Sequence, residues 1–421
     1  MLSKKNLLAR LIADLQLLKQ PEGWLTAGRC NRDQTSLQPD TWTEDREPTF
    51  DWLFGRDSLI TSLELLPFGN GPQIARATLK ALAALQGKHH NWKSEEQPGR
   101  IIHEARSTEL LKSDIPYWKF PYYGSVDATP LFIILASEYA LKTGDWDFIR
   151  ALWENLSGAA RWMKEWGDLD GDYFIECQKL NPHGITNQVW KDHTPFCGVP
   201  EYPVAIVEIQ GYAYLAWRRM QRMAAHLDLQ EWREYHRHAE ALRQNFDEFF
   251  WLPEKKFFAL ALDAEKKPID TVTSNQGHLL FTGLVGGARA TAVVERLRQT
   301  DLWTPYGIRT LSDKELCFNP YLYHLGSIWF HDNWLIWWGL NRYPEFRDEA
   351  EELKKNLTHT AQLLEEAPEL HACENGKLKT TAHVAGWGTK PANHVQAWSA
   401  AAILNLLTED LSEEERMRIV I

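Results

Sequence analysis

Asp127-Ala-Thr-Pro-Leu-Phe-Ile-Ile-Leu-Ala136 decides the fold. After its first residue the run is apolar on every side. At helical periodicity that describes a helix buried all round rather than one with a wet face. It continues to Thr143-Gly144-Asp145, where Gly ends one helix and Asp caps the next. Working outward, helical runs recur at about 3–18, 55–67, 72–86, 127–143, 146–166, 203–227, 229–251, 275–285, 287–299, 326–341, 346–366 and 395–407. Two kinds alternate. The stretches 127–143, 203–217, 275–285, 326–341 and 395–407 have few charges and belong inside, whereas 229–251, 287–299 and 346–366 carry charge on one face and belong outside. Gly286-Gly287 marks a second hairpin joint.

The long connections 87–126, 167–202, 252–274, 300–325 and 367–394 precede inner helices and so gather at one end. Short β signals sit in them: Asp168-Leu-Asp170-Gly171-Asp172-Tyr-Phe-Ile-Glu176 reads as a tight turn opening an extended pair, and Lys255-Lys256-Phe-Phe-Ala-Leu260 as extended. The expected fold is all-α, an (α/α)6 toroid of alternating inner and outer helices with short β segments in the loops at one end. No linker divides the chain, so one catalytic domain over 1–421 is expected, entered through an N-terminal helix and lead-in loop over 1–50. The helices share no residue-level repeat, which excludes a TPR- or HEAT-type array.

Lys plus Arg number 46 against 57 Asp plus Glu, a net charge of −11, and no basic block occurs. Nucleic acid and anionic membrane surfaces are therefore poor partners. Arg10 and Asp14 interrupt the first apolar run, which reads as an amphipathic helix and not a secretion signal. No run approaches the roughly 18 apolar residues of a membrane span. The expected compartment is the cytosol, and a monomer or small homo-oligomer is expected. Five cysteines, Cys30, Cys177, Cys197, Cys317 and Cys373, form no C-x-x-C pair, and their odd number does not suit a disulfide framework. Twenty Trp against five Met admit two readings, a bulky core between helices or flat platforms for sugar rings. Trp190, Trp303 and Trp387 lie in polar loops, which favours platforms there.

The candidate chemistry starts at Asn187-Gln188-Val189-Trp190-Lys191-Asp192. An acid beside a Trp and a Lys fits a glycosidase general acid, with the Trp raising its pKa by desolvation and the ammonium lowering it. The second carboxylate is expected at Pro368-Glu369-Leu370, with Glu374 as alternative base and Glu201 and Glu208 as alternative acids. Glu208 lies within an inner helix, where a buried, hydrogen-bonded carboxylate is the plainer expectation.

Phe54-Gly55-Arg56-Asp57-Ser58 opens the first inner helix, and its Arg-Asp pair can grip adjacent hydroxyls or merely cap the helix. Tyr123 and Asp127 open the second, where Asp127 reads equally as an N-cap. Trp52, Arg309, His324, Trp329, His331, Gln396 and Trp398 complete the candidate sugar contacts. No zinc cluster accompanies the histidines. Asp168, Asp170, Asp172 and Glu176 imitate only part of a calcium loop, so a structural turn is expected. No nucleotide fingerprint, phosphate loop or G-x-S-x-G elbow appears; neither cofactor nor metal is expected.

At these positions the chain resembles the amylo-α-1,6-glucosidase family of (α/α)6 inverting glycoside hydrolases, related to glucoamylases. The resemblance runs from about residue 50 to 407. It rests on Gly55-Arg56-Asp57-Ser58, Tyr123-Gly-Ser-Val-Asp127-Ala-Thr-Pro130, Asp168-Leu-Asp-Gly-Asp172, Asn187-Gln-Val-Trp-Lys-Asp192, Glu208-Ile-Gln-Gly-Tyr212, Ser274-Asn-Gln-Gly-His278, Gly307-Ile-Arg-Thr310, Tyr323-His-Leu-Gly-Ser-Ile-Trp329, Pro368-Glu-Leu370 and Gln396-Ala-Trp-Ser399. It implies hydrolysis of a terminal α-linked glucose with inversion, Asp192 matching the family acid, Glu369 the base, and Arg56 with Asp57 the pair that holds the outer hydroxyls. Val189 and His193 depart from the family's usual Gly and Ser, and Thr194-Pro195-Phe196-Cys197-Gly198-Val199-Pro200 replaces an Asp-Gly-rich segment. A small α-glycoside or an α-glycosyl-glycerate is therefore as apt a substrate as a glycogen branch. A sugar epimerase working through His324 and His331, and a non-catalytic sugar-binding scaffold, are the other two readings.

Overall fold

Four of the six inner helices are entered from extended residues. Leu53–Phe54 pairs with Glu104–Ala105, Val204–Ile206 joins a four-stranded sheet, Ile328 bridges Arg309 and His371, and Val395–Gln396 pairs with Gly28–Arg29. The computed structural model describes residues 1–29, 50–106, 117–192, 196–379, 383–384 and 390–421. Cys30, His193, Thr194, Pro195 and Trp387 lie outside the described residues.

The helices are α1 (Lys4–Leu18), α2 (Gly55–Leu65), α3 (Gly71–Ala84), α4 (Ala128–Thr143), α5 (Trp146–Ala151), α6 (Trp153–Trp162), α7 (Val207–His226), α8 (Trp232–Phe250), α9 (Leu279–Thr282), α10 (Gly287–Leu297), α11 (Phe330–Leu340), α12 (Arg347–Leu364) and α13 (Ala397–Leu407). α2 packs on α4, α4 on α7, α7 on α9, α9 on α11, α11 on α13, and α13 back on α2. That is a closed inner ring. Outside it α3 lies against α2 and α4, α6 against α4 and α7, α8 against α7, α10 beside the turn before α9, α12 against α11, and α1 against α13. The fold is an (α/α)6 toroid. Every residue of α13 is buried, as its all-round apolar pattern requires, and so is every residue of α2, although α2 carries Arg56, Asp57 and Glu64.

Three inner helices are shorter than expected. The run at 203–227 begins as the strand Val204–Ile206, because its edge pairs with Glu176–Cys177 and Ala261–Leu262. The run at 275–285 is one 3-10 turn, Asn275–His278, followed by the single turn of α9. Gly283, at φ 71°, then takes the left-handed conformation that stops it. The run at 326–341 becomes helical only at Phe330, since Ile328 is engaged in bridges on both sides. The joint at Gly144 and Asp145 forms as read: Gly144 has φ 70°, and Asp145 Oδ1 accepts from Phe148 N at 3.1 Å.

The cysteine reading needs correction. Cys197 and Cys317 form a disulfide, 120 residues apart in sequence. An odd count argues against a framework of several bridges, but it says nothing against a single bond between two long loops. No described helix is long and apolar enough to cross a membrane.

Candidate active site

At the mouth of α2 the backbone runs so close to its neighbour that only glycine fits at position 55. A Cβ there would lie 2.0 Å from the Ile102 carbonyl oxygen. The next two residues point inward, Arg56 5% and Asp57 8% exposed. Arg56 Nη1 donates to Asp127 Oδ2 at 2.6 Å. Asp127 makes no side-chain cap; its other oxygen accepts from Ser125 Oγ at 2.5 Å. The capping alternative for Asp127 therefore gives way to a buried ion pair. Burial pulls the Arg56 pKa down, but Asp127 and then Asp57 more than offset it and hold the guanidinium charged. Burial pushes Asp57 up to about 7 against the pull of Arg56.

The segment carrying Asp192 is clamped on both sides. Gln188 Oε1 accepts from Arg100 Nη2 at 2.6 Å, and Gln188 O accepts from Val126 N at 2.8 Å. Lys191 is fully buried, and its ammonium donates to Ser274 Oγ (2.8 Å), Asn275 Oδ1 (2.6 Å) and Thr310 O (2.8 Å). Those three bonds use all its protons. Lys191 is thus a brace rather than the expected sugar contact. Trp190, between the clamps, is wedged among His278, His324, Trp329 and His331, with ring centroids 4.9–6.0 Å away. Asp192 itself is about one-third exposed and lies 3.4 Å from Nδ1 of the buried His324.

Glu369 is 3% exposed. Its Oε1 accepts from the Tyr323 hydroxyl and its Oε2 from Asn393 N at 3.2 Å. Burial, with the charges of Asp57 and Asp192, lifts its pKa to about 7 despite both donors. Asp192 also acts on Arg56, Asp57 and Tyr323. The first turn of α2 and the loops before α7, α11 and α13 thereby bring Arg56, Asp57, Asp192, Tyr323 and Glu369 to one electrostatic neighbourhood.

Aromatic rings pack beside this cluster. His331 stacks on Trp398 at 3.7 Å and 11°, and Trp398 meets Trp329 edge-on at 5.9 Å. Both His331 ring nitrogens are buried without a hydrogen-bond partner among the described residues, as are Nε1 of Trp190 and of Trp398. Burial holds His331 neutral, with its pKa well below the usual value.

Other expected contacts lie apart. Tyr123 donates to Leu85 O at 2.8 Å and is spent there. Arg309 is tied to the carbonyls of Thr300, Asp301 and Cys373 at 3.2–3.4 Å and bridges to Asp313. It braces loops rather than facing the cluster. Trp52 sits partly exposed at the rim, stacked on Phe54, donating to Glu104 at 2.6 Å and covered by Arg106. Gln396 Oε1 accepts from Asn393 Nδ2 at 3.3 Å, and so acts behind Glu369.

Among the alternative carboxylates, Glu208 is buried and accepts from Asn275 at 2.8 Å, the plainer expectation. Glu374 pairs with Tyr321 and Lys379, and Glu201 is exposed. Trp303 belongs to the hairpin 303–308. In the acidic turn, Lys266 Nζ lies 2.9 Å from Asp170, 2.6 Å from Asp172 and 2.7 Å from Glu176, so an ammonium stands where a calcium ion would be held. Tyr323 and Asn393 were not anticipated as site residues. Tyr323 stands in a quoted motif, but its partner is 46 residues away, and only the fold joins them.

Residues 187–383 match the model of the mannosylglycerate hydrolase MGH1-like glycoside hydrolase domain. Solved structures of a GH63 mannosylglycerate hydrolase from Thermus thermophilus share the fold. The complex with Tris is 16% identical over 96% of this chain and 100% of that one, at TM-score 0.68. The complex with Tris and D-glycerate is 17% identical over 95% and 99%, at 0.68. The complex with glucose is 16% identical over 95% and 99%, at 0.65. No curated protein matches the chain by sequence. The matched segment is of glycoside hydrolase type, and the chain is a glycosidase. Neither finding reaches the finer amylo-α-1,6-glucosidase assignment.

Proposed function

We propose that this glycosidase acts with inversion, releasing a terminal α-linked hexose from a small glycoside of the α-glycosyl-glycerate kind. Asp192 is its general acid and Glu369 its general base. The observation that carries this reading is Glu369: a buried carboxyl held on both oxygens, poised near pH 7, and sensing the charges of Asp57 and Asp192. A general base needs that combination of fixed orientation and matched pKa. Asp192, one-third exposed at the rim, is reachable by a leaving oxygen. The Arg56–Asp127 pair and Asp57 offer acceptors and a donor to ring hydroxyls, and the Trp190–Trp329–Trp398 cluster offers apolar faces. Inversion requires the two carboxyls to stand roughly 6.5–9.5 Å apart with water between them.

The domain match supports the glycerate-linked substrate class, while the motif resemblance keeps an α-1,6-linked glucose as the second candidate. The chain is expected to work in the cytosol without a cofactor. The test is a panel of α-glucosyl- and α-mannosyl-glycerate, α-linked disaccharides and limit dextrin, followed by proton NMR of the first-formed anomer. Release of a β-anomer from an α-glycoside is expected. Retention, or isomerisation without bond cleavage, would overturn the reading. Asp192→Asn and Glu369→Gln should each lower kcat by about 10²–10⁴-fold with the fold intact.

A further inference from the structure

We propose that Cys197–Cys317 is a redox-modification site that straps residues 196–203, downstream of Asp192 in sequence, to the segment leading into Tyr323 and His324. Its oxidation state would then govern how firmly the acid is held against the base. The functional part rests on the catalytic roles proposed above for Asp192 and Glu369.

Cys197 lies five residues after Asp192, and Cys317 six residues before Tyr323, whose hydroxyl holds Glu369. The two segments are unequally secured. Upstream of Asp192, Gln188 and Lys191 clamp the chain; beyond residue 196 the first described strand is Val204–Ile206. Among the described residues the backbone of 196–203 is held by one hydrogen bond, Ala264 N to Glu201 O at 3.0 Å, and Val199 is 95% exposed. The segment 312–323 carries more bonds, among them Ser312 N to Val272 O (3.0 Å), Asp313 N to Asp301 O (3.1 Å), Phe318 N to Glu315 O (3.1 Å) and Asn319 N to Leu325 O (2.8 Å), although Leu316 beside Cys317 is 99% exposed. The disulfide therefore fastens residues 196–203 to a segment with more backbone hydrogen bonds.

It is also the sulfur a solvent nucleophile reaches. Cys197 is exposed and Cys317 half-buried, whereas the thiols of Cys177 and Cys373 are buried. Burial pushes the Cys177 thiol up to about 12, leaving it protonated and inert at neutral pH. Reduction by a dithiol proceeds in two displacements. A thiolate attacks Sγ of Cys197, forming a mixed disulfide and releasing Cys317 as thiolate; the reductant's second thiolate then displaces Cys197 and closes its own disulfide. Two electrons pass to the protein, and each cysteine takes up one proton.

The oxidised protein, the protein treated with dithiothreitol, and the Cys197→Ser/Cys317→Ser variant should be compared. Alkylation with mass spectrometry should find Cys197 and Cys317 blocked before reduction and labelled after it, with Cys177 and Cys373 unlabelled under native conditions. Hydrogen exchange should quicken in 196–203 but not in 312–323. On a cleaved α-glycoside, kcat should fall about tenfold or more in the reduced protein and in the variant, as expected for a misplaced catalytic group. Reoxidation should restore it only in the wild type. Free Cys197 before reduction, or unchanged exchange and unchanged kcat after it, would overturn the strap. If no form cleaves any glycoside, the catalytic reading fails, while labelling and exchange still decide the strap.

Discussion

The phenol of Tyr323 donates to Oε1 of Glu369, and this bond opposes the burial that lifts the acid to about 7. Tyr323→Phe removes the donor and leaves the burial. The carboxylate form loses about 1.5 kcal/mol, so the base titrates about one pH unit higher. The base must be ionised to activate water, so the acid limb of kcat/KM should move up by that amount, with little loss at pH 9. A pH–rate profile checks it; an unmoved acid limb would detach Tyr323 from the base. Lys191 presents the converse case. Sequence put it beside the acid, and adjacency suggested a sugar contact, but its neighbours in space are Ser274, Asn275 and Thr310 on other loops. Lys191→Met would strip the cation that faces buried Asp332 and Glu208. A loss of about 3–5 kcal/mol is expected, measurable by denaturant unfolding, because the surviving charges stay buried. Asp192, Glu369, Arg56 and Asp57 were legible as candidates because each sits in a compact motif. The partners that tune them, Tyr323 and Asn393, were not, because hydrogen bonds between distant loops leave no local signal.

Along a single element, α2 shows what an all-buried helix can conceal. Glu64, near its inner end, is fully buried, and neither carboxylate oxygen has a partner among the described residues. Burial alone drives its pKa well above 4.5. The folded state therefore binds this proton more tightly than the unfolded chain does. Below the unfolded value the group makes no difference to stability. Above it, stability falls by about 1.4 kcal/mol per pH unit until the folded carboxyl ionises. Glu64→Gln removes that titration, so its melting temperature relative to wild type should climb as the pH rises above 5, until the folded carboxyl ionises. Parallel melting curves would show that Glu64 finds a partner. The sequence placed α2 as the first inner helix, yet that position cannot separate a neutral buried acid from a paired one. The same limit explains the shortened inner helices. Apolar runs at 203–227 and 326–341 look helical throughout, because a strand buried at the rim and a helix buried in the ring share one composition.

At the scale of the whole ring, the hairpins are sequential, yet the last inner helix takes its outer partner from the other end of the chain. α1 packs against α13 and α12, with Leu7, Leu11, Leu15 and Leu18 fully buried. Twelve helical runs were legible, five of them inner and three outer by their charge, and 3–18 was recognisable as amphipathic. That α1 closes the circle was not, because the contact spans nearly the full chain and no local feature encodes it. The closure has a testable consequence. α13 begins at Ala397, directly after Gln396, which meets Asn393 behind Glu369. Loosening α1 should therefore disturb the base as well as the fold. Leu11→Ala alone should cost about 2–5 kcal/mol through the cavity it leaves. Adding Leu15→Ala on the same stripe should cost more than twice as much if the two cavities merge and α1 lifts away. Calorimetry gives the first quantity, and hydrogen exchange in 393–407 gives the second. If exchange in 393–407 stays at the wild-type rate while the melting temperature drops, α1 is a passive cover, and the ring holds Glu369 without it.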